Sequence, residues 1–209
     1  GSEMCIRDSA IGGRKPVFAV YSTFLQRAID QLIVNNALMN LDVVFAIDRA
    51  GLVGADGPTH HGMFDLVYTR MVPNMRVLAP SNEAELVNSL HTALVLGGPF
   101  AVRYPRGEAC GVPVPDKPET YEPGVSRLVR EGSDVAILAF GNMVEPANEA
   151  AAALEEAGLS VRVVDMRWVK PLDTEAIRKA SETRLVVTVE DGVVAVSYTH
   201  LTLPTTPYV

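Results

Sequence analysis

The chain has 209 residues, 48% of them hydrophobic and 21% charged, which excludes a disordered polymer and leaves room for one large domain or two smaller ones. Its net charge of −7 argues against a general nucleic-acid or membrane-surface partner, since both need clustered cations, although two or three local arginines would suffice for a small anion. No apolar run approaches the ~20 residues needed to span a bilayer, no signal peptide is evident, and Cys5 and Cys110 stand far apart, which fits a reducing, cytoplasmic setting.

Residues 1–9 show no helical or strand period, and fold-like sequence begins near Ala10. Residues 196–209 are rich in threonine and proline and follow an unfinished strand-and-loop unit. Both ends resemble translated sequencing-adapter sequence around a gene fragment, so we expect foreign or disordered tails on an interior piece of a longer protein. Genuine flexible termini are the alternative.

Between the ends, strand and helix signals alternate. Residues 17–21 read as a buried strand and 23–39 as a helix with Phe24, Ala28, Leu32 and Ile33 at helical spacing. A strand over 43–47 runs into a glycine-rich loop. A helix over 63–72 stops at Pro73, and 76–79 is a short strand. Ser81 is expected to cap the next helix, which carries Glu83 and Glu85 in its first turn and ends at Gly97 and Gly98. A strand over 100–104 follows. Residues 107–124, rich in proline and glycine and without a period, read as a linker. A second alternating run has strands at 134–140, 160–165 and 185–189 and helices at 145–157 and from Asp173 to about Ser181. The pattern predicts an α/β fold with parallel sheets: one domain over 10–106, the linker, and a shortened α/β domain over 125–195.

The most informative stretch is 48–62, in which Gly51, Gly54 and Gly57 recur every third residue and His60 falls on the next beat. A strand that runs into glycines brings backbone close to something, because glycine adds no side-chain bulk. In open α/β sheets ligands bind beyond the carboxyl ends of strands. That edge should gather 21–27, this loop and 101–107, and with them Arg27, Arg49, Arg103 and Arg106; Phe140-Gly141-Asn142 is grouped with these three segments. Arginine forks suit phosphate or carboxylate, while ion pairs with Asp30, Asp48 or Asp65 are the structural alternative. His60 beside Asp56 is the candidate acid/base, since imidazole titrates near ~6.5. His61 reads as a bystander and His91 as structural, and a metal site at adjacent histidines is not expected. Tyr21 and Phe24 could stack on a flat ring or simply pack in the core.

At Tyr21-Ser-Thr-Phe-Leu-Gln-Arg-Ala-Ile-Asp-Gln31, Asp48-Arg-Ala-Gly-Leu-Val-Gly-Ala-Asp-Gly-Pro-Thr-His-His-Gly62, Ala101-Val-Arg-Tyr-Pro-Arg-Gly107 and Asp165-Met-Arg-Trp-Val-Lys-Pro-Leu-Asp173, the chain resembles the 1-deoxy-D-xylulose-5-phosphate synthases, transketolase-like thiamine-diphosphate transferases. The resemblance covers roughly residues 10–195. It implies a pyrimidine-binding transketolase domain followed by a partial transketolase C-terminal domain, thiamine diphosphate with Mg as cofactors, a homodimer, and condensation of pyruvate with glyceraldehyde 3-phosphate in isoprenoid precursor synthesis. It also implies roles: Phe24, with Tyr21 and Arg27, against the aminopyrimidine; Arg49 and Arg106, neighboured by Arg103, on the substrate phosphate; Asp56 and His60 at the reacting carbon. The family's activating glutamate, in a Glu-Gln-His segment, and its diphosphate and magnesium domain have no match here. The chain alone is therefore expected to be inactive. Transketolases, 2-oxoacid dehydrogenase β subunits and a non-catalytic α/β dimerisation module remain as alternatives.

Overall fold

The computed structural model describes residues 2–193, so the expected tail at 196–209 lies outside the described residues. Residues 2–9, which show no period, belong to a helix, α1 (Ser2–Ile11), whose Ile6 and Ala10 pack four residues apart on the core. β1 (Val17–Tyr21) leads into a helical stretch that changes pitch repeatedly. α2 (Ser22–Leu25) passes through a tight turn at Gln26–Ala28 into α3 (Ile29–Leu32), and a wide turn at Ile33–Ala37 ends it. The uniform helix expected over 23–39 is thus broken. Leu32 and Ala37 are buried five residues apart, a spacing that the wide turn meets and a regular α-helix does not.

β2 (Val44–Asp48) precedes the glycine loop, and α4 (Asp65–Met71) follows it. β3 (Arg76–Leu78), α5 (Glu83–Leu96) and β4 (Phe100–Arg103) complete the first run. The cap of α5 is Asn82, whose side chain accepts from the Glu85 N–H at 3.0 Å; Ser81 instead donates its hydroxyl to Asp165 at 2.8 Å. The expected cap is displaced by one residue because Ser81 has a better acceptor in the second half of the chain.

The second run contains β5 (Arg127–Arg130), β6 (Val135–Ala139), α6 (Val144–Glu156), β7 (Val161–Asp165), β8 (Trp168–Lys170), α7 (Thr174–Ala180) and β9 (Leu185–Val189). The first sheet has the order β1-β2-β4-β3-β8 and the second β5-β7-β6-β9. The inner pairings are parallel, but each sheet carries one antiparallel edge: β8 on β3, and β5 on β7. The expected parallel sheets are present, each with one antiparallel strand added at its edge. β8 also joins the second run to the first sheet, and Trp168 is wholly buried there beside Phe100.

One hydrophobic cluster runs through both sheets, from Leu25, Ile47 and Val77 to Leu138, Phe140 and Met166. Two smaller ones lie beneath α6 and α5. The stretch 107–124 lacks regular structure but is anchored: Tyr121 is buried and donates its hydroxyl to Glu85 at 2.7 Å. The carboxyl ends of β1, β2 and β4 lie side by side, with Tyr21 opposite Asp48 and Ile47 opposite Arg103.

Candidate functional site

The glycine loop is a closed lobe. Gly51 and Gly62 exchange both backbone hydrogen bonds at 2.8 Å, so its two ends are pinned together. A side chain at Gly62 would approach the Arg49 carbonyl to 2.4 Å, and one at Gly51, where φ is +77°, would collide with Asp191. Glycine is required at both positions, by close approach at the first and by conformation as well at the second. Within the lobe, tight turns at Gly54–Asp56 and Pro58–His60 present the two candidate catalytic side chains.

Arg49 sits at the carboxyl end of β2 in a left-handed conformation (φ +55°), held by its N–H to Asp48 Oδ1 at 2.6 Å. This conformation is sparsely populated for a residue with a side chain, and the surrounding contacts hold it there. Its guanidinium pairs with Asp56 and lies 4.1 Å from the centre of the Tyr21 ring. Burial alone would lower the Arg49 pKa, yet Asp56 and Tyr21 hold it above the ordinary arginine value. Arg106 Nε reaches the same Asp56 carboxylate oxygen at 3.6 Å. One carboxylate is therefore shared by two arginines.

Tyr21 stacks on Phe24 with ring centres 5.5 Å apart, and Phe24 meets His60 edge-on at 5.4 Å. Arg27 lies 5.4 Å over the Phe24 ring. His60 Nδ1 is 3.0 Å from Thr59 Oγ1, while Thr23 Oγ1 donates to the Thr59 carbonyl at 3.0 Å and fastens the lobe to α2. His61 accepts the Val53 N–H on Nδ1 at 3.2 Å, so it braces the lobe from within. Tyr21, Phe24, Arg27, Arg49, Asp56, His60 and Arg106 thus form one continuous cluster, although 85 residues of sequence separate the first from the last.

Arg103 is elsewhere. Its side chain is 4% exposed and donates to Asp65 Oδ2 at 2.9 Å and to the Asp191 carbonyl at 3.0 Å. It is the one arginine of the four that adopts the Asp65 ion-pair alternative, and it does not line the cleft.

Beside the cluster lies a cavity of about 560 Å³ lined by Arg49, Arg106, Asn142, Ser81, Tyr104 and Glu145, among others. Burial and the neighbouring Asp48 carboxylate raise the Tyr104 phenol, which stays protonated as a donor at neutral pH. One wall is the 107–110 stretch, tied down where Glu83 accepts the Cys110 and Val112 N–H groups at 3.1 and 2.6 Å. A cavity of this size holds a small polar metabolite, with two guanidinium groups to receive an anion. Among the described residues, no three His, Cys, Asp or Glu side chains are grouped so as to hold a metal ion, and no helix is long and apolar enough to cross a membrane.

The sequence reading missed Asp191, which contacts the lobe, Asn142 and Arg103 together. Its signal was present: Glu190-Asp191-Gly192 follows a strand, the same strand-end position that marked the glycine loop.

Residues 9–111 match the transketolase pyrimidine-binding domain, and residues 124–201 match the transketolase C-terminal domain. The chain belongs to the transketolase family. Within it, curated relatives include 1-deoxy-D-xylulose-5-phosphate synthases from Chlorobaculum tepidum, 56% identical over 185 residues, and from Chromobacterium violaceum, 56% identical over 186. Each match covers 88% of this chain but only 29% of the relative, so the chain spans under a third of their length. Among solved structures, a split-gene transketolase described as an inactive β4 tetramer superposes with a TM-score of 0.81 at 32% identity, covering 90% of this chain and 61% of that one. A transketolase from Campylobacter jejuni superposes at 0.75 and 22% identity over 90% of this chain and 33% of that one, a likeness of fold.

Proposed function

We propose that this chain carries the pyrimidine-facing and acceptor-facing residues of a 1-deoxy-D-xylulose-5-phosphate synthase, which condenses pyruvate with glyceraldehyde 3-phosphate and releases carbon dioxide. The observation that supports this most is Arg49 and Arg106 converging on Asp56, next to His60, in a chain 56% identical to curated proteins of that name.

Phe24, 38% exposed and stacked on Tyr21, offers an apolar platform that fits a flat heteroaromatic ring such as the aminopyrimidine of thiamine diphosphate. Phe24, Tyr21 and Arg27 would hold that ring. When bound, thiamine diphosphate supplies the nucleophilic carbon and the electron sink for decarboxylation. Magnesium would be held with the diphosphate by residues outside this chain.

The chain's own residues then divide the acceptor chemistry. Arg49 and Arg106 bind the phosphate, whose oxygens suit two guanidinium forks better than a single carboxylate does. Asp56, relieved of part of its pairing, orients the acceptor hydroxyl. His60, with Nδ1 beside Thr59 Oγ1, holds or moves a proton at Nε2. Arg103, buried against Asp65, leaves the phosphate to the other two. The parent enzyme would be a cytoplasmic homodimer acting on small molecules, without nucleic-acid or membrane partners.

The test is a chimera in which residues 10–193 replace the matching section of the Chlorobaculum tepidum synthase. It should condense pyruvate with glyceraldehyde 3-phosphate. Arg106→Ala in that chimera should raise KM for the phosphorylated acceptor about tenfold or more, with KM for pyruvate little changed, as expected for loss of a charge-assisted contact. A folded, cofactor-loaded chimera that fails to form the product but transfers ketol groups between sugars would move the chain to the transketolases.

A further inference from the structure

We propose that Asp191 is a positioning residue for the glycine lobe: it seats the second sheet against the lobe and thereby fixes where Arg49, Asp56 and His60 stand. The role of those three side chains rests on the reading above; the seat itself rests on geometry alone.

Asp191 follows β9, an edge strand of the second sheet. Each of its acceptor atoms is used on a different segment. Oδ1 accepts the Leu52 N–H at 3.2 Å, Oδ2 accepts Asn142 Nδ2 at 3.3 Å, and the main-chain carbonyl accepts from Arg103 at 3.0 Å. These donors belong to the lobe, to the turn before α6, and to the end of β4. The carboxylate also occupies the volume that Gly51 leaves empty, since a Cβ there would lie 1.9 Å from Oδ2. Two residues on, the Val193 N–H reaches the Met63 carbonyl at 3.3 Å. The strand-end segment 191–193 therefore touches both ends of the lobe, on either side of the Gly51–Gly62 bridge.

This matters for the site because the lobe interior is built of two short turns; Thr23 holds the second to α2 at the Thr59 carbonyl, and the first, which carries Asp56, follows directly from the end that Asp191 holds. Arg49 lies two residues before Gly51, in its left-handed conformation, and Asp56 and His60 lie within the lobe. Releasing Leu52 would let the start of the lobe rotate, and the shared Asp56 contact with Arg49 and Arg106 would be lost before any part of either sheet came apart. A carboxylate suits the task because an ionised acceptor binds an N–H more strongly than a neutral one.

The experiment compares wild type, Asp191→Asn and Asp191→Ala in this chain. Three readouts are amide hydrogen exchange residue by residue, inorganic phosphate titration followed on the Arg49 and Arg106 guanidinium resonances, and the urea midpoint. Asp191→Ala should speed exchange at Leu52 about tenfold, the scale of one charge-assisted hydrogen bond, while Ile137 and Leu138 in β6 keep their protection. Asp191→Asn, which keeps an oxygen acceptor, should fall between the two and guards against an alanine variant that does not fold. Phosphate affinity should weaken in the same order. Leu52 exchange within twofold of wild type in both variants, or equal acceleration at Leu52 and in β6, overturns the proposal. Failure of wild type to bind phosphate at Arg49 and Arg106 would count against the functional reading, and Leu52 exchange would still decide the seat.

Discussion

Arg103 at the end of β4 donates through Nε to Asp65 Oδ2 at the start of α4 over 2.9 Å, with the two side chains 4% and 1% exposed. A buried pair of this kind adds little over a well-packed apolar pair, but breaking it strands a charge. Arg103→Ala should therefore cost about 3–5 kcal/mol in urea unfolding, whereas a double change of Arg103→Met with Asp65→Leu should recover most of the loss. Equal losses in the single and double variants would place the cost in the lost bond to the Asp191 carbonyl and not in a stranded Asp65 charge.

At the closure of the lobe, Gly62→Ala places a methyl 2.4 Å from the Arg49 carbonyl and 2.5 Å from Ser22 Cβ. Neither neighbour is the far end of a flexible side chain, so the lobe itself has to move. We expect a loss of about 1–3 kcal/mol in the thermal transition. The Phe24–His60 contact should weaken with it, seen as a shift of the His60 ring resonances. An unchanged His60 spectrum in a destabilised protein would separate lobe closure from His60 placement.

Much of this arrangement was legible in the sequence. The apolar runs of β2, β4 and β6, buried on both faces, could be read directly, and the glycine spacing located the lobe. What stayed hidden depended on partners distant in sequence. Arg103 and Arg106 look alike as letters, and only the ion pair with Asp65 at the start of α4 sets the buried one apart from the one on the cleft. Ser81 is a good cap by composition, and Asp165, 84 residues later, takes its hydroxyl. Trp168–Lys170 is too short to carry a strand period, and it becomes a strand because β3 offers a free edge.

Asp173 links stability to acid. Burial pushes its carboxyl up, but N–H groups of Ala176 and Ser126 and the Ser126 hydroxyl, at 2.7–2.8 Å, outweigh burial and hold it below the ordinary value. A lowered folded-state pKa gives stability that is complete above the ordinary carboxylate value and lost as pH falls through the folded one. Wild type should thus lose more stability on acidification than Asp173→Asn, which keeps an acceptor but does not titrate. At neutral pH Asp173→Ala should cost about 1–2 kcal/mol for the lost cap. Identical acid profiles for wild type and Asp173→Asn would remove the carboxylate from this account.

Asp165 has the opposite sign. It is wholly buried, and burial raises its carboxyl; nearby Glu85 adds to the rise, while the Ser81 hydroxyl and Arg127, at 2.8 and 3.0 Å, only partly offset it. A raised folded-state pKa means that the folded protein holds the proton more tightly than the unfolded chain. The resulting stability is full below about pH 4, the ordinary value, and is lost as pH rises through the folded pKa. Asp165→Asn never ionises, so its urea midpoint should gain on wild type as pH rises from 4 to 7. The gain should reach the contact between the two halves, because Ser81 belongs to the first run and Arg127 to the second, and both meet at this carboxyl. Parallel midpoint curves for the two proteins would show that Arg127 and Ser81 compensate the charge fully, and the buried carboxylate would then be neutral in its effect on how the halves join.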